Sequence, residues 1–241
     1  MKTGDMIAVR LPDGRLQNMT VCTVEEKERC IELQICAESS FGGNGEKNKI
    51  QSITRGTQAE NVSGVNVNFW LFQFAAKSSK MDLIIRQAVE CGISKIIPVI
   101  GEYSQKENCK NSPSRAARIE RIIKEARQQS GSPVETVCME PVTLEKAVSL
   151  WKEQNFQDSL AVALYERTDD TKELNSLLSG DTNVKNVGIA VGCEGGISPS
   201  EIEFLKANGF LPIHFETNIL RCETAALYGI AAIQTLILGK K

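Results

Sequence analysis

The chain has 241 residues, enough for one large or two modest domains with real cores. Its 28 basic and 30 acidic side chains leave a formal net charge of −2, so any nucleic-acid partner must be gripped by a local patch and not by a wholly cationic surface. No run approaches ~18 consecutive apolar residues and Met1-Lys2-Thr3-Gly4-Asp5 opens without an apolar core, which predicts no membrane span, no signal peptide and a cytoplasmic location.

Residues 6–9, 16–24 and 30–35 read as strands, separated by a Pro12-Asp13-Gly14 turn and then a charged turn. Residues 37–66 are polar and rich in Gly, Asn, Ser and Lys, which predicts a long loop with at most one short strand and the linker. A small β domain over residues 1–66 follows. Residues 67–74 alternate and are aromatic, and they open a larger domain over 67–241. Helix 80–90, strand 95–100, helix 114–129, strand 134–139, helix 144–151 and strand 159–165 then alternate, as βα units around a largely parallel sheet do. Residues 187–191 form a short β-branched run suited to a strand covered on both faces, ending at Gly192. A helix starts at once, with Ser198 as N-cap, Pro199 at its first position, Glu201 closing a capping box, and Asn208-Gly209 as the stop. Residues 211–215 read as the next strand and 222–238 as the last helix. That helix carries small residues at Ala225, Ala226, Gly229, Ala231 and Ala232, compatible with tight packing against neighbouring backbone.

Two runs in this last portion carry the chemistry: Val191-Gly192-Cys193-Glu194-Gly195-Gly196 and Ile219-Leu220-Arg221-Cys222-Glu223-Thr224-Ala225-Ala226. Each sets small residues beside charged ones at the exit of a strand, where open α/β sheets bind ligands. Gly195 and Gly196 tolerate positive φ and lack a Cβ, so the turn is suited to offering bare N–H groups to a ligand; a plain tight βα turn would use the same glycines. Arg221, Glu223 and Thr224 in an otherwise apolar segment favour a site. The first βα turn has no G-x-G-x-x-G, which argues against a dinucleotide enzyme.

Eight cysteines without secretory features read as reduced thiols, most of them packed as small hydrophobes. None is spaced C-x-x-C and His214 is the only histidine, so no metal site is expected. Cys193 and Cys222, one in each run, are candidates for a redox-sensitive pair.

These runs, with Lys77-Ser78-Ser79-Lys80-Met81, residues 87–98 and Glu125-Ala126-Arg127-Gln128-Gln129-Ser130-Gly131 in the same order, resemble the motifs of the RsmE-type ribosomal RNA uridine-N3 methyltransferases of the SPOUT class. The resemblance runs from about Gly4 to the end. It implies an α/β fold whose parallel sheet ends in a C-terminal trefoil knot, preceded by a small PUA-like β-barrel that binds RNA. It implies a homodimer through the last helix, ribosomal RNA of the small subunit as partner, and S-adenosylmethionine as cofactor, with the methyl group going to a uridine N3 of 16S ribosomal RNA. The implied cofactor pocket comprises Leu164 and Tyr165, then Val191, Gly192, Cys193, Glu194, Gly195, Gly196 and Ile197, then Ile219, Leu220, Arg221, Thr224 and Ala225.

Uridine N3 must lose a proton as it is methylated, and negative charge spreads onto the ring carbonyls. Arg221 is the expected stabiliser of that charge, and Glu194 or Glu223 the expected proton acceptor. The alternative is that Glu223 caps the last helix and pairs with Arg221. The residues expected to hold RNA are Lys77, Lys80, Arg86, Arg115, Arg118 and Arg121. The last three recur at helical spacing among Lys106, Lys110, Lys124 and Arg127, a pattern that also fits a solvated face. Trp70 and Tyr165 are either base-stacking platforms or packed core.

The chain departs from the family pattern in places. It has Cys193 where proline is usual, Tyr103, Ser132 and Asn218 where arginine is usual, and Phe215-Glu216 in place of Leu-Gly; its N-terminus looks short. The lost arginines keep open a second class, a knotted RNA-binding or ribosome-associated protein without methyl transfer, and also an enzyme with another RNA target.

Overall fold

The computed structural model describes residues 2–11, 16–25, 30–35, 67–105, 112–166, 171–174 and 183–239. The chain separates into two units, Met1–Gly64 and Val65–Lys241. In the first, β1 (Met6–Arg10), β2 (Leu16–Glu25) and β3 (Cys30–Ile35) pair antiparallel in that order. Val21 of β2 is wholly buried, and the β2–β3 register shifts between Val21 and Thr23. The Pro12-Asp13-Gly14 turn, the polar stretch 37–66, Lys106 and Lys110 lie outside the described residues.

The second unit is built on strands that pair only in parallel among the described residues. They are β4 (Asn68–Phe74), β5 (Lys95–Ile100), β6 (Val137–Cys138), β7 (Val142–Thr143), β8 (Ser159–Leu164), β9 (Lys172–Glu173), β10 (Asn186–Val191) and β11 (Leu211–His214). Their order is β6-β5-β4-β10-β8-β11-β9, with β7 also on β5. The sheet grows from β4 outward to β5 and β6, then builds its other half from β8, β10 and β11, so its direction of growth reverses beside β4. A reversal of this kind leaves a crevice at the carboxyl ends of the strands. Register brings Gln73, Leu164, Val191 and Ile213 to one level at that end.

Five helices among the described residues cover the sheet: α1 (Ser78–Glu90), α2 (Pro113–Ser130), α3 (Leu144–Lys152), α4 (Pro199–Ala207) and α5 (Cys222–Leu238). Phe69 to Phe74 of β4 and Val187 to Val191 of β10 are buried throughout, as expected of strands covered on both faces. The Ser198 capping box of α4 forms in full, with the Ser198 hydroxyl accepting from Glu201 N and Glu201 Oε2 accepting from Ser198 N at 2.9 Å. α2 starts on a Ser112 cap and ends at Gly131 in the left-handed region.

One face of the sheet is held by edge-on aromatic rings. Trp151 lies 5.4 Å from Trp70, 5.9 Å from Phe72 and 4.9 Å from Phe156 between ring centres. Trp70 is therefore core, 4% exposed, and not a stacking platform. The strand expected over 134–139 shortens to β6, and just before it the Thr136 hydroxyl donates to Ile93 O at 2.7 Å. The two-residue strands β7 and β9 were not expected. No described helix is long and apolar enough to cross a membrane.

Candidate functional site

The site is organised around a buried glutamine. Gln73, fully inaccessible near the end of β4, directs its side-chain amide at the carbonyls of Phe74 (3.0 Å), Gly192 (3.1 Å) and Val191 (3.3 Å). Two of these acceptors belong to the point where β10 stops. The chain then reverses through Cys193-Glu194-Gly195-Gly196, closed by Gly196 N donating to Cys193 O at 3.0 Å, with Gly196 at φ +78°.

Each glycine has its own reason. A Cβ on Gly192 would sit 2.5 Å from the Gly196 carbonyl carbon, and one on Gly195 would sit 2.8 Å from Tyr103 Cβ. The turn is therefore compact enough to press backbone on backbone, and the Gly196 N–H, expected to face a ligand, is engaged inside the turn. On the far side, Gly229 lets α5 close onto Leu164 at the end of β8, where a Cβ would come within 2.5 Å of Leu164 Cδ1.

Between the turn, the ends of β8 and β11 and the start of α5 lies a cavity of about 560 Å³, within the usual range of small-molecule sites. The two sequence runs meet here. Leu164, Tyr165, Val191 to Gly196, Ile219, Leu220, Arg221 and Ala225 all border it, whereas Ile197, Glu223 and Thr224 do not. Ile197 is buried beneath the turn, and Thr224 points to solvent from the first turn of α5. Glu166 and the loop 214–218 also border the cavity. Motif reading nominated none of them for the pocket, naming Phe215, Glu216 and Asn218 only as departures from the family pattern, although position alone, at or just past the ends of β8 and β11, would have nominated both segments.

Lys80, expected on an RNA-binding face, borders the cavity instead. Its ammonium is 3.3 Å from Glu223 Oε2, 3.6 Å from Glu194 Oε1 and 3.9 Å from Cys222 Sγ. Partial desolvation works to lower its pKa, but the Glu223 hydrogen bond and the electrostatic influence of Cys222, Glu223 and Glu194 prevail and raise it above the ordinary lysine value. Glu223 is held below the usual carboxylate range, first by its own backbone N–H, then by Cys222 and Lys80 against the opposing effect of burial. Glu223 thus pairs with Lys80 and not with Arg221. Arg221 is exposed; its carbonyl accepts from Ala225 N at 2.7 Å, while its guanidinium has no hydrogen-bond or ion-pair partner among the described residues.

Cys193 and Cys222 both border the cavity. Burial pushes the Cys193 thiol up, and burial together with the Glu223 hydrogen bond pushes Cys222 up to about 12. Both are protonated thiols near neutral pH, which disfavours ready oxidation. His214 closes β11 with Nδ1 at 2.6 Å from the Thr171 hydroxyl.

The other expected RNA contacts are dispersed. Lys77 and Arg86 are exposed at the start and middle of α1. Arg118 pairs with Asp82 of α1, and Arg121 lies 3.8 Å from Glu125. Arg115 borders a separate hollow between α2 and β6. No group of three or more metal-ligating side chains occurs among the described residues.

A glycine turn and a helix start walling a cavity at the carboxyl edge of a parallel α/β sheet is the arrangement in which open α/β sheets bind ligands. The family model for the RNA methyltransferase domain matches residues 64–234, and the chain belongs to that family. Among curated relatives, it is 29% identical over 174 residues to ribosomal RNA small subunit methyltransferase E 2 of Borreliella burgdorferi, covering 71% of this chain and 68% of that one. It is 33% identical over 166 residues to ribosomal RNA small subunit methyltransferase E of Rickettsia conorii, covering 66% and 61%. The fold is shared with a ribosomal RNA small subunit methyltransferase E from Neisseria gonorrhoeae solved bound to S-adenosyl methionine, at a TM-score of 0.71 and 21% identity, covering 98% of this chain and 85% of that one.

Proposed function

We propose that the protein methylates a uridine N3 in 16S ribosomal RNA with S-adenosylmethionine. The observation that carries this reading is the meeting of the 191–196 turn and the 219–225 segment around one cavity. S-adenosylmethionine supplies, when bound, a methyl group on an electrophilic sulfonium. The residues present suit it. Glu166, Glu194 and Glu216 line a cavity that also holds Lys80 and Arg221, so carboxylates are at hand for a ligand with cationic groups. The compact turn admits close main-chain approach.

The protein's contribution is position and charge. Val191 to Gly196, Leu164, Tyr165, Ile219, Leu220 and Ala225 hold the donor. Arg221, permanently charged and unpaired among the described residues, faces the developing negative charge of the uridine carbonyls. Glu223 is a poor general base in this setting, because a carboxylate held ionised by its own N–H and by Lys80 takes a proton reluctantly. Glu194 also lies beside Lys80, but it borders the cavity as Glu223 does not, and it is the candidate acceptor. The domain boundary at residue 66, the RNA-binding PUA-like barrel, the trefoil knot, the homodimer through α5 and a cytoplasmic site of action belong to the same proposal. Lys77, Arg86 and Arg115 are the cations left to meet phosphate.

The test is transfer of a labelled methyl group to small ribosomal subunits lacking the modification, with the product located by mass mapping. One modified uridine at N3 is expected. Donor binding without transfer to ribosomal RNA would favour the second reading, a relative that binds RNA but has lost the chemistry. That reading is motivated by the uncharged residues beside the turn and in the cavity loop: Tyr103 packs on Gly195, and Asn218 borders the cavity.

A further inference from the structure

The first turn of α1 is an unfavourable place for a lysine. A helix N-terminus carries positive partial charge, and α1 has neither an acidic residue in its first turn nor a side-chain cap. Carboxylates from distant segments supply what the helix lacks. Glu194 Oε1 accepts from Lys77 N at 3.1 Å while lying 3.6 Å from Lys80 Nζ, and Glu223 Oε2 approaches the same ammonium at 3.3 Å. The three side chains are 27%, 29% and 16% exposed for Lys80, Glu194 and Glu223, so solvent screens them only partly.

Glu194 belongs to the glycine turn and Glu223 to the start of α5, two of the elements that wall the cavity. Without a cation between them these carboxylates repel. We propose that Lys80 is a positioning residue of the donor pocket: its ammonium fastens both walls to the start of α1 through Glu194 and Glu223. By engaging the acidic side chains next to Arg221, it also leaves that guanidinium free for the substrate. The proposal rests on the reading of the cavity as a methyl-donor site.

Calorimetric titration with S-adenosylmethionine tests it, on the full chain and on Lys80→Met, Lys80→Arg and the double variant Lys80→Met/Glu223→Gln. Losing two partly exposed ion pairs is expected to weaken donor affinity about five- to thirty-fold in Lys80→Met. Lys80→Arg should recover most of that loss. The double variant should bind better than the product of its single losses predicts, because removing Glu223 relieves the repulsion that Lys80→Met creates. A merely structural role would lower thermal stability without rescue by arginine and without this coupling. Lys80→Met binding the donor as tightly as the wild type overturns the Lys80 proposal alone. Failure of the wild type to bind overturns the functional reading beneath it. Should Lys80→Met not fold, Lys80→Gln and Lys80→Arg decide, and equal affinities in those two would refute the positioning role.

Discussion

Replacing Gly192 by alanine adds one methyl group at the point where the turn is tightest. The new Cβ would lie 2.5 Å from the Gly196 carbonyl carbon and 2.9 Å from its oxygen. Backbone cannot rotate away as a side chain end can, so the turn must open by about 0.9 Å to reach ordinary contact. Overpacking of this kind costs about 1–3 kcal/mol. Taken from the donor site, that is an affinity loss of about five- to 150-fold. Gly209→Ala is the control: its φ of +88° strains any side chain, yet a Cβ there meets nothing within 4 Å and Gly209 does not border the cavity. That variant should lose about 1–2 kcal/mol of stability and keep its donor affinity. Titration calorimetry and thermal unfolding on both variants separate the effects. Wild-type affinity in Gly192→Ala, or equal affinity losses in the two, would refute the reasoning.

Three further outcomes are expected. Arg221→Ala should lower kcat for methyl transfer far more than it weakens donor binding; equal losses in both would assign Arg221 a structural role. Glu223→Gln should be less stable than the wild type at neutral pH by about 1 kcal/mol or less. Because the folded Glu223 pKa is depressed, its stabilisation is present above the unfolded value of about 4.3 and disappears as pH falls through the folded value, so the two unfolding midpoints should converge in acid. A gap that persists below that range would contradict the pairing. Trp151→Ala should cost about 3–5 kcal/mol by emptying the space between Trp70, Phe72 and Phe156, and a loss under ~1 kcal/mol would mean that these rings do not form the core described.

Much of this architecture was legible in the chain because it is written in local chemistry. The Ser198-Pro199-Ser200-Glu201 start of α4, its Asn208-Gly209 stop and the apolar run of β10 each follow from a rule that spans a few residues. The glycine turn was legible for the same reason, although its glycines serve packing against Gly196 and Tyr103 more than the offering of N–H groups. What escaped is tertiary. Strands of two residues, β7 and β9, leave no periodicity to detect. Lys80 looked like one more surface cation because its partners lie 114 and 143 positions away, at Glu194 and Glu223. Arg118 kept its helical spacing, but its pairing with Asp82 on another helix could not be read from α2 alone. The buried Gln73 would have been visible as a polar residue inside an aromatic strand, a signal that deserved weight.

The central claim is that the 191–196 turn and the 219–225 segment enclose a methyl donor. A crystal structure of the protein grown with S-adenosylmethionine tests it most directly. The donor is predicted in the cavity between Gly192 and Ala225, with Lys80 still bridging Glu194 and Glu223. A donor bound elsewhere, or an empty cavity at saturating donor concentration, would contradict it.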